Sequence, residues 1–388
     1  MKLKQLPGDF KVEEISELSI SKEKKGYKAY LLEKRGIETF SLLSYLSRKN
    51  NIPVREFGIA GLKDRHAITR QYFTIPLKYN IGTLHEKDFD ITLLGYTDKG
   101  IKLGDLEGNK FDIIVRDIKK GELQGIIQKA KSIEQIGVPN YFDSQRFGSV
   151  IGNEFIARHL IKKDYEKAVK IYLTSYTKFE SGKIKNEKRL ILQNWGNFRK
   201  LKIKNRSLAV VVDEYRKSNK WIEAYKKIPS NIREIVISAY QSYLWNECVK
   251  RVLIKTINKK RLYNIKYSLG SLIFYRNLDE NEIINIPQAF KTISEEIKPN
   301  ELESSIINRV LQKEGISLGG FNIKKQTGNF FKVHERNVLL KPSSFSMSEH
   351  SIDEINDRGK NNRFKIKLEF SLPKGSYATM ITKRLFNQ

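Results

Sequence analysis

Residues Gly61-Leu62-Lys63-Asp64-Arg65-His66-Ala67 set one carboxylate among three side chains that can carry positive charge. Neighbouring cations favour the ionised form of a carboxyl group. Asp64 is therefore expected to be an anion at neutral pH, available as a nucleophile or a base. The same cations would attract a phosphate backbone, and an anionic group inside a phosphate-binding patch suits chemistry on a nucleotide. Lys-Asp-Arg is also a common solvated turn, and short motifs taken alone match falsely often. The weight of this one comes from the rest of the chain.

A second dense stretch is Asn140-Tyr141-Phe142-Asp143-Ser144-Gln145-Arg146-Phe147-Gly148. Aromatic rings stack on bases, amides read base edges and arginine meets phosphate. An enzyme acting on a base takes it out of the stack and holds it against aromatic or apolar groups. A loop with Phe and Tyr anchored in a core would look the same. Leu372-Pro373-Lys374-Gly375-Ser376-Tyr377-Ala378-Thr379 reads as a turn, where Tyr377 either stacks on a substrate or caps a core. Pro7-Gly8-Asp9-Phe10 reads as a structural turn entering a strand.

Composition sharpens the choice of partner. The 388 residues suit two domains, or one with a large insertion. A formal net charge of +28 points to a polyanion. Lys and Arg are spread along the chain, with no single basic amphipathic helix to collect them, which favours nucleic acid over a membrane surface. Cys248 is the sole cysteine, and the five histidines fall at no metal-ligand spacing. No metal or dinucleotide cofactor is expected. With no signal-peptide core and no membrane-spanning window, the expected setting is soluble and cytoplasmic.

These residues need a frame. Strands are expected over 27–33, 89–96 and 111–116, with 10–20 alternating only loosely. A helix from Thr39 to Asn50 would bury Phe40, Leu43 and Leu46, and one over 123–136 carries an apolar stripe. Phe57 to Gly61 reads as a short strand handing over to a loop that holds Asp64. Residues 155–335 are mostly helical in pattern. The clearest helix there, Ile232 to Val252, has an apolar stripe that includes Ile235 and Cys248, with Gln241, Ser242, Trp245 and Asn246 on a second face. Phe364, Ile366, Leu368 and Phe370 alternate with polar residues as a final strand. This strand would complete a sheet begun in the first half.

Together these segments resemble the TruD family of tRNA pseudouridine synthases. The similarity runs from Lys4 to about Leu385, through Pro7–Phe10, Gly61–Ala67, Gly108-Asn109-Lys110-Phe111, Asn140–Gly148, Ala239-Tyr240-Gln241-Ser242-Tyr243-Leu244-Trp245-Asn246 and Leu372–Thr379. It implies an α+β fold: a mixed, mainly antiparallel pseudouridine-synthase sheet with flanking helices, plus an inserted, largely helical TRUD domain. The implied catalytic domain is 1–154 with 336–388, and the insertion 155–335. Asp64 falls on the family's catalytic aspartate, Asn140 and Phe142 on pocket residues, and Lys4 on a basic pocket residue. Asp143 stands where the family usually has glycine, which reaches backbone angles that Asp reaches less readily.

The implied reaction isomerises a uridine of tRNA to pseudouridine with no cofactor and no metal, in a monomer. Bacterial relatives act at position 13, while archaeal and eukaryotic ones can act elsewhere. Asp64 would work on the ribose as nucleophile at C1′ or base at C2′. Phe142 would stack on uracil, Asn140 would order the loop or touch the sugar, and Lys4 would balance the aspartate. Lys63 and Arg146 would meet phosphate. The alternative from another class is a non-catalytic RNA-binding or RNA-chaperone protein, which needs the basic surface but not Asp64. A methyltransferase would need a glycine-rich methyl-donor loop, and no convincing one is present.

Overall fold

The computed structural model describes residues 1–388 apart from His66, Phe179, Asn361 and Gln388. The chain forms two compact units. One comprises residues 1–138 and 340–387, the other 139–339.

The first unit is built on a mixed sheet that has, among the described residues, eleven strands. Six are long: β1 (Phe10–Ile15), β2 (Tyr27–Arg35), β3 (Ile68–Pro76), β4 (Phe89–Thr97), β5 (Gly108–Lys119) and β6 (Arg363–Pro373). Their order in the sheet is β6-β5-β1-β3-β2-β4. Only β1 and β3 run parallel, with Val12 opposite Thr69, and the other neighbours are antiparallel. β6 returns from the far end of the chain to lie along β5, from Arg363 opposite Lys119 to Pro373 opposite Gly108. Glycine is required at that last pair, because a β-carbon on Gly108 would collide with the Leu372 carbonyl.

Helix α1 (Thr39–Asn50) buries Leu42, Leu43 and Leu46 against Tyr30, Leu32, Phe73, Ile75 and Ile91 of the sheet. Phe40, expected on that side, is 54% exposed, because it falls off the stripe centred on those three leucines. Helices α2 (Leu123–Gln135) and α3 (Ala378–Phe386) pack on each other and bury Ile126, Ala130, Ile133, Met380, Ile381 and Leu385.

The second unit is mostly helical. Its longest helix is Ser230–Thr256, and Trp245, Asn246 and Cys248 are completely buried along it. Ile235 is an exception to the expected stripe: it lies near the helix start and is exposed. A hairpin (Leu262–Tyr267 with Gly270–Tyr275) and a short strand pair (Ala289–Lys291 with Glu335–Asn337) complete the unit. The segment Asn140–Gly148 falls in this compact unit, fastened to the long helix through Phe142 and Asn246. Among the described residues no helix is long and apolar enough to cross a membrane.

Candidate active site

Asp64 lies in the loop between the two-residue strand Gly58–Ile59 and β3. Its carboxylate is paired directly with the Lys4 ammonium, and both side chains keep roughly a quarter of their surface open to solvent. Lys4 also sits 4.2 Å from the centre of the Phe10 ring. It takes a left-handed backbone (φ 55°) in the turn before β1. A lysine adopts that conformation only where its surroundings impose it, and such outliers gather at functional sites.

Beneath the loop is a buried polar frame. Lys34 of β2, fully buried, donates to the carbonyls of Ile37 (2.8 Å) and Asp64 (3.1 Å). Burial pushes its ammonium down to about 8, against the opposing pull of the Asp64 charge. Thr39 Oγ1 accepts from the Lys63 amide (3.2 Å) and bonds Gln71 Oε1 (3.2 Å), while Gln71 Nε2 holds the Gly61 carbonyl (3.3 Å). Lys63, expected to meet phosphate, is turned inward. Its ammonium is 2.7 Å from Glu14 and 2.9 Å from Asn109 Oδ1, and its side chain is 6% exposed. In this arrangement it holds the loop to β1 and β5 and does not offer its charge to solvent. Arg65 donates to the Gly36 carbonyl (3.2 Å), and His66 lies outside the described residues. Tyr377, half-buried, precedes the first residue of α3.

The second unit gathers the other expected residues. The Asn246 side chain accepts from the Phe142 amide and donates to the Phe142 carbonyl, each at 2.9 Å. The Phe142 ring meets Trp245 edge-on (5.7 Å between centres), and the Arg336 guanidinium lies 4.2 Å from the ring centre. Arg336 also donates to the backbone and side-chain oxygens of Asn140, while Asn140 Nδ2 holds the Asn337 carbonyl (3.0 Å). Arg146 is exposed and hydrogen-bonds Ser242 (3.1 Å). Asp143 is buried at φ −94°, an ordinary extended angle, so the position makes no demand for glycine. Among the described residues there is no metal-ligand cluster.

Sequence reasoning missed Lys34, Gln71, Glu14 and Arg336. The first three share a signal: each is polar at the inward parity of a strand, with Tyr30 and Leu32, with Phe73 and Ile75, and with Phe10 and Val12 respectively. Arg336 carried none, since its short strand is irregular in sequence.

The family model described as tRNA pseudouridine synthase D (TruD) matches residues 1–265 and 285–385. A Methanocaldococcus jannaschii relative named a probable tRNA pseudouridine synthase D 2 is 42% identical over all of this chain and 92% of its own. The tRNA pseudouridine synthase D of Aquifex aeolicus is 31% identical, over all of this chain and 98% of its own. A crystal structure from Methanosarcina mazei bearing the TruD name superposes with a TM-score of 0.72 at 27% identity, covering all of this chain and 93% of that one.

Proposed function

Because the chain belongs to the tRNA pseudouridine synthase D (TruD) family, we propose that it isomerises a uridine of tRNA to pseudouridine with Asp64 as the catalytic carboxylate. The N1–C1′ bond breaks, the uracil turns, C5 joins C1′, and the proton lost from C5 is balanced by one gained at N1. The overall change is an isomerisation, so the reaction itself calls for no redox or group-transfer cofactor. The observation that carries the reading is the Asp64–Lys4 pair on a loop held from below by Lys34, Thr39 and Gln71. Lys4 aims the carboxylate, and the frame fixes its backbone, as preorganised catalysis at the ribose requires. An RNA chaperone would have no use for a lysine-paired carboxylate on a loop whose backbone is held by a buried lysine and a buried amide.

Phe142, with Arg336 over its ring and Trp245 at its edge, is suited to stack on the uracil. Asn140 orders that loop. Arg146, with an exposed guanidinium, is suited to phosphate. Lys63 is assigned to loop support and Tyr377 to a substrate contact. The enzyme is taken to act as a monomer in the cytoplasm, where tRNA is matured.

Unmodified tRNA transcripts incubated with the protein, then mapped by carbodiimide-dependent reverse-transcription stops, test the reading. A stop at one uridine is expected with the wild type and not with Asp64→Asn, while the variant keeps its affinity for tRNA. Pseudouridine formed by Asp64→Asn would remove the aspartate from its role. A wild type that binds tRNA and never produces a stop would favour the chaperone.

A further inference from the structure

Two helices of the second unit, Ser230–Thr256 and Glu301–Glu314, pack against each other. A cleft of about 280 Å³ is lined by Arg251, Ile254 and Lys255 of the first and by Ser305, Ile306 and Arg309 of the second. Arg251 and Lys255 are four residues apart, as are Ser305 and Arg309, so each pair shares one face of its helix. No carboxylate lines the cleft. Nearby acids are engaged elsewhere: Glu247 pairs with Lys250 and Lys313, and Glu303 closes the capping box at Asn300.

Among the described residues, none of the three cations has an ion pair or a hydrogen bond, and Arg251 Nε is buried without an acceptor. A buried N–H without a partner is costly. Two arginines, a lysine and a serine line this carboxylate-free cleft, a donor set of the kind that binds a phosphate group.

We propose that this cleft is a phosphate subsite that grips a phosphodiester of the RNA substrate. The assignment rests on RNA being the substrate. In it, Arg251 and Arg309 donate in pairs to the non-bridging oxygens, Ser305 adds a hydroxyl donor, and Lys255 supplies charge.

The test measures the affinity of full-length protein for a tRNA transcript across a salt series. It compares the wild type with Arg251→Gln/Arg309→Gln and with the exposed single change Arg309→Gln. Lys183→Gln/Lys217→Gln, two exposed lysines of the same unit, is the charge-matched control. Each phosphate that the protein no longer neutralises should flatten the slope of log affinity against log salt by about 1. The double variant is therefore expected to bind roughly tenfold more weakly with that flatter slope, Arg309→Gln to fall between, and the control to move less than about twofold. Affinity and slope equal to wild type, in variants with an unchanged thermal melt, would overturn the subsite while leaving the RNA reading intact. A wild type that shows no salt-dependent tRNA binding would sink both. Inorganic phosphate that raises the wild-type melting temperature, with no effect of the variants on the RNA slope, would assign the cleft to free phosphate instead.

Discussion

At the scale of single residues, Lys4 joins the energetics to the chemistry. A non-glycine residue in the left-handed region costs about 1 kcal/mol, and Lys4 holds that conformation while its ammonium reaches Asp64 and the face of Phe10. The Lys4–Asp64 pair is too exposed to repay much of this through stability, since ion pairs open to water contribute little. Its return is orientation of the carboxylate. Two substitutions separate these effects. Lys4→Gly removes the charge and the strain, and Lys4→Ala removes the charge alone. Both are expected to lose about a hundredfold in kcat/KM, while urea unfolding finds the glycine variant about 1 kcal/mol more stable than the alanine variant. A Lys4→Gly enzyme of near wild-type rate would show that the ammonium has no part in catalysis. Asp64 itself was visible in the sequence because its charged neighbours are contiguous with it. Lys34 was not, because it is thirty residues away and reaches the loop only through the fold.

At the scale of elements, what could be read tracks how apolar the buried face is. β2, β4 and β6 bury mostly apolar side chains on one parity and were readable as strands, as was the long helix from its stripe. β3 escaped notice although it lies in the middle of the sheet. Its inward positions begin with Thr69 and Gln71 before reaching Phe73 and Ile75, so the alternation of polar and apolar residues breaks down. β1 reads loosely for the same reason, with Glu14 inward. Two of these departures, Gln71 and Glu14, hold the Asp64 loop, and local rules commonly fail where a site takes precedence. In the second unit the corresponding device is Asn246, whose amide completes both backbone bonds of Phe142 from the buried side of a helix. Asn246→Ala would remove both of the amide's hydrogen bonds to the Phe142 backbone, at a cost of about 2 kcal/mol. Hydrogen exchange at the Phe142 amide should then speed up roughly thirtyfold, the equivalent of that energy, with a rise in KM for tRNA. An amide that stays as protected as in the wild type would mean the loop is held by the Arg336 and Trp245 contacts instead.

At the scale of the whole molecule, the first unit must be closed from both ends of the chain. The polypeptide leaves it after Val138 and returns at Leu340, and β6 then pairs with β5 across that long excursion. Composition and alternation suggested a returning strand, but nothing local marked what fastens it. The fastening centres on Arg116 of β5, which is 3% exposed. Its guanidinium bonds Asp9 (2.9 and 3.0 Å) and Asp353 (3.2 Å), both fully enclosed, as well as Glu354 at the rim. Burial raises the Asp353 carboxyl, but hydrogen bonds from the Asn356 side chain (2.6 Å), the Asp117 amide (2.8 Å), the Ile355 amide (3.1 Å) and Arg116 together hold it below the usual range. Pro7-Gly8-Asp9, which reads as a plain turn in the sequence, is thus the N-terminal end of a buried cluster joining the first, middle and last parts of the unit. Lys2 and Leu3 pair with Arg116 and Val115, and Lys4 follows directly, so the same cluster fixes the approach of Lys4 to Asp64. Removing one member of a buried charge cluster leaves the others uncompensated and costs about 3–5 kcal/mol, whereas removing the charges together can be close to neutral. Arg116→Met is therefore expected to lower the urea unfolding free energy of the first unit by that amount and to reduce turnover by misplacing Lys4. The triple change Asp9→Asn/Arg116→Met/Asp353→Asn should recover much of the stability. If Arg116→Met costs under about 1 kcal/mol, the cluster behaves as a surface ion pair, and closure must rest on the β5–β6 ladder and the α2–α3 contact alone.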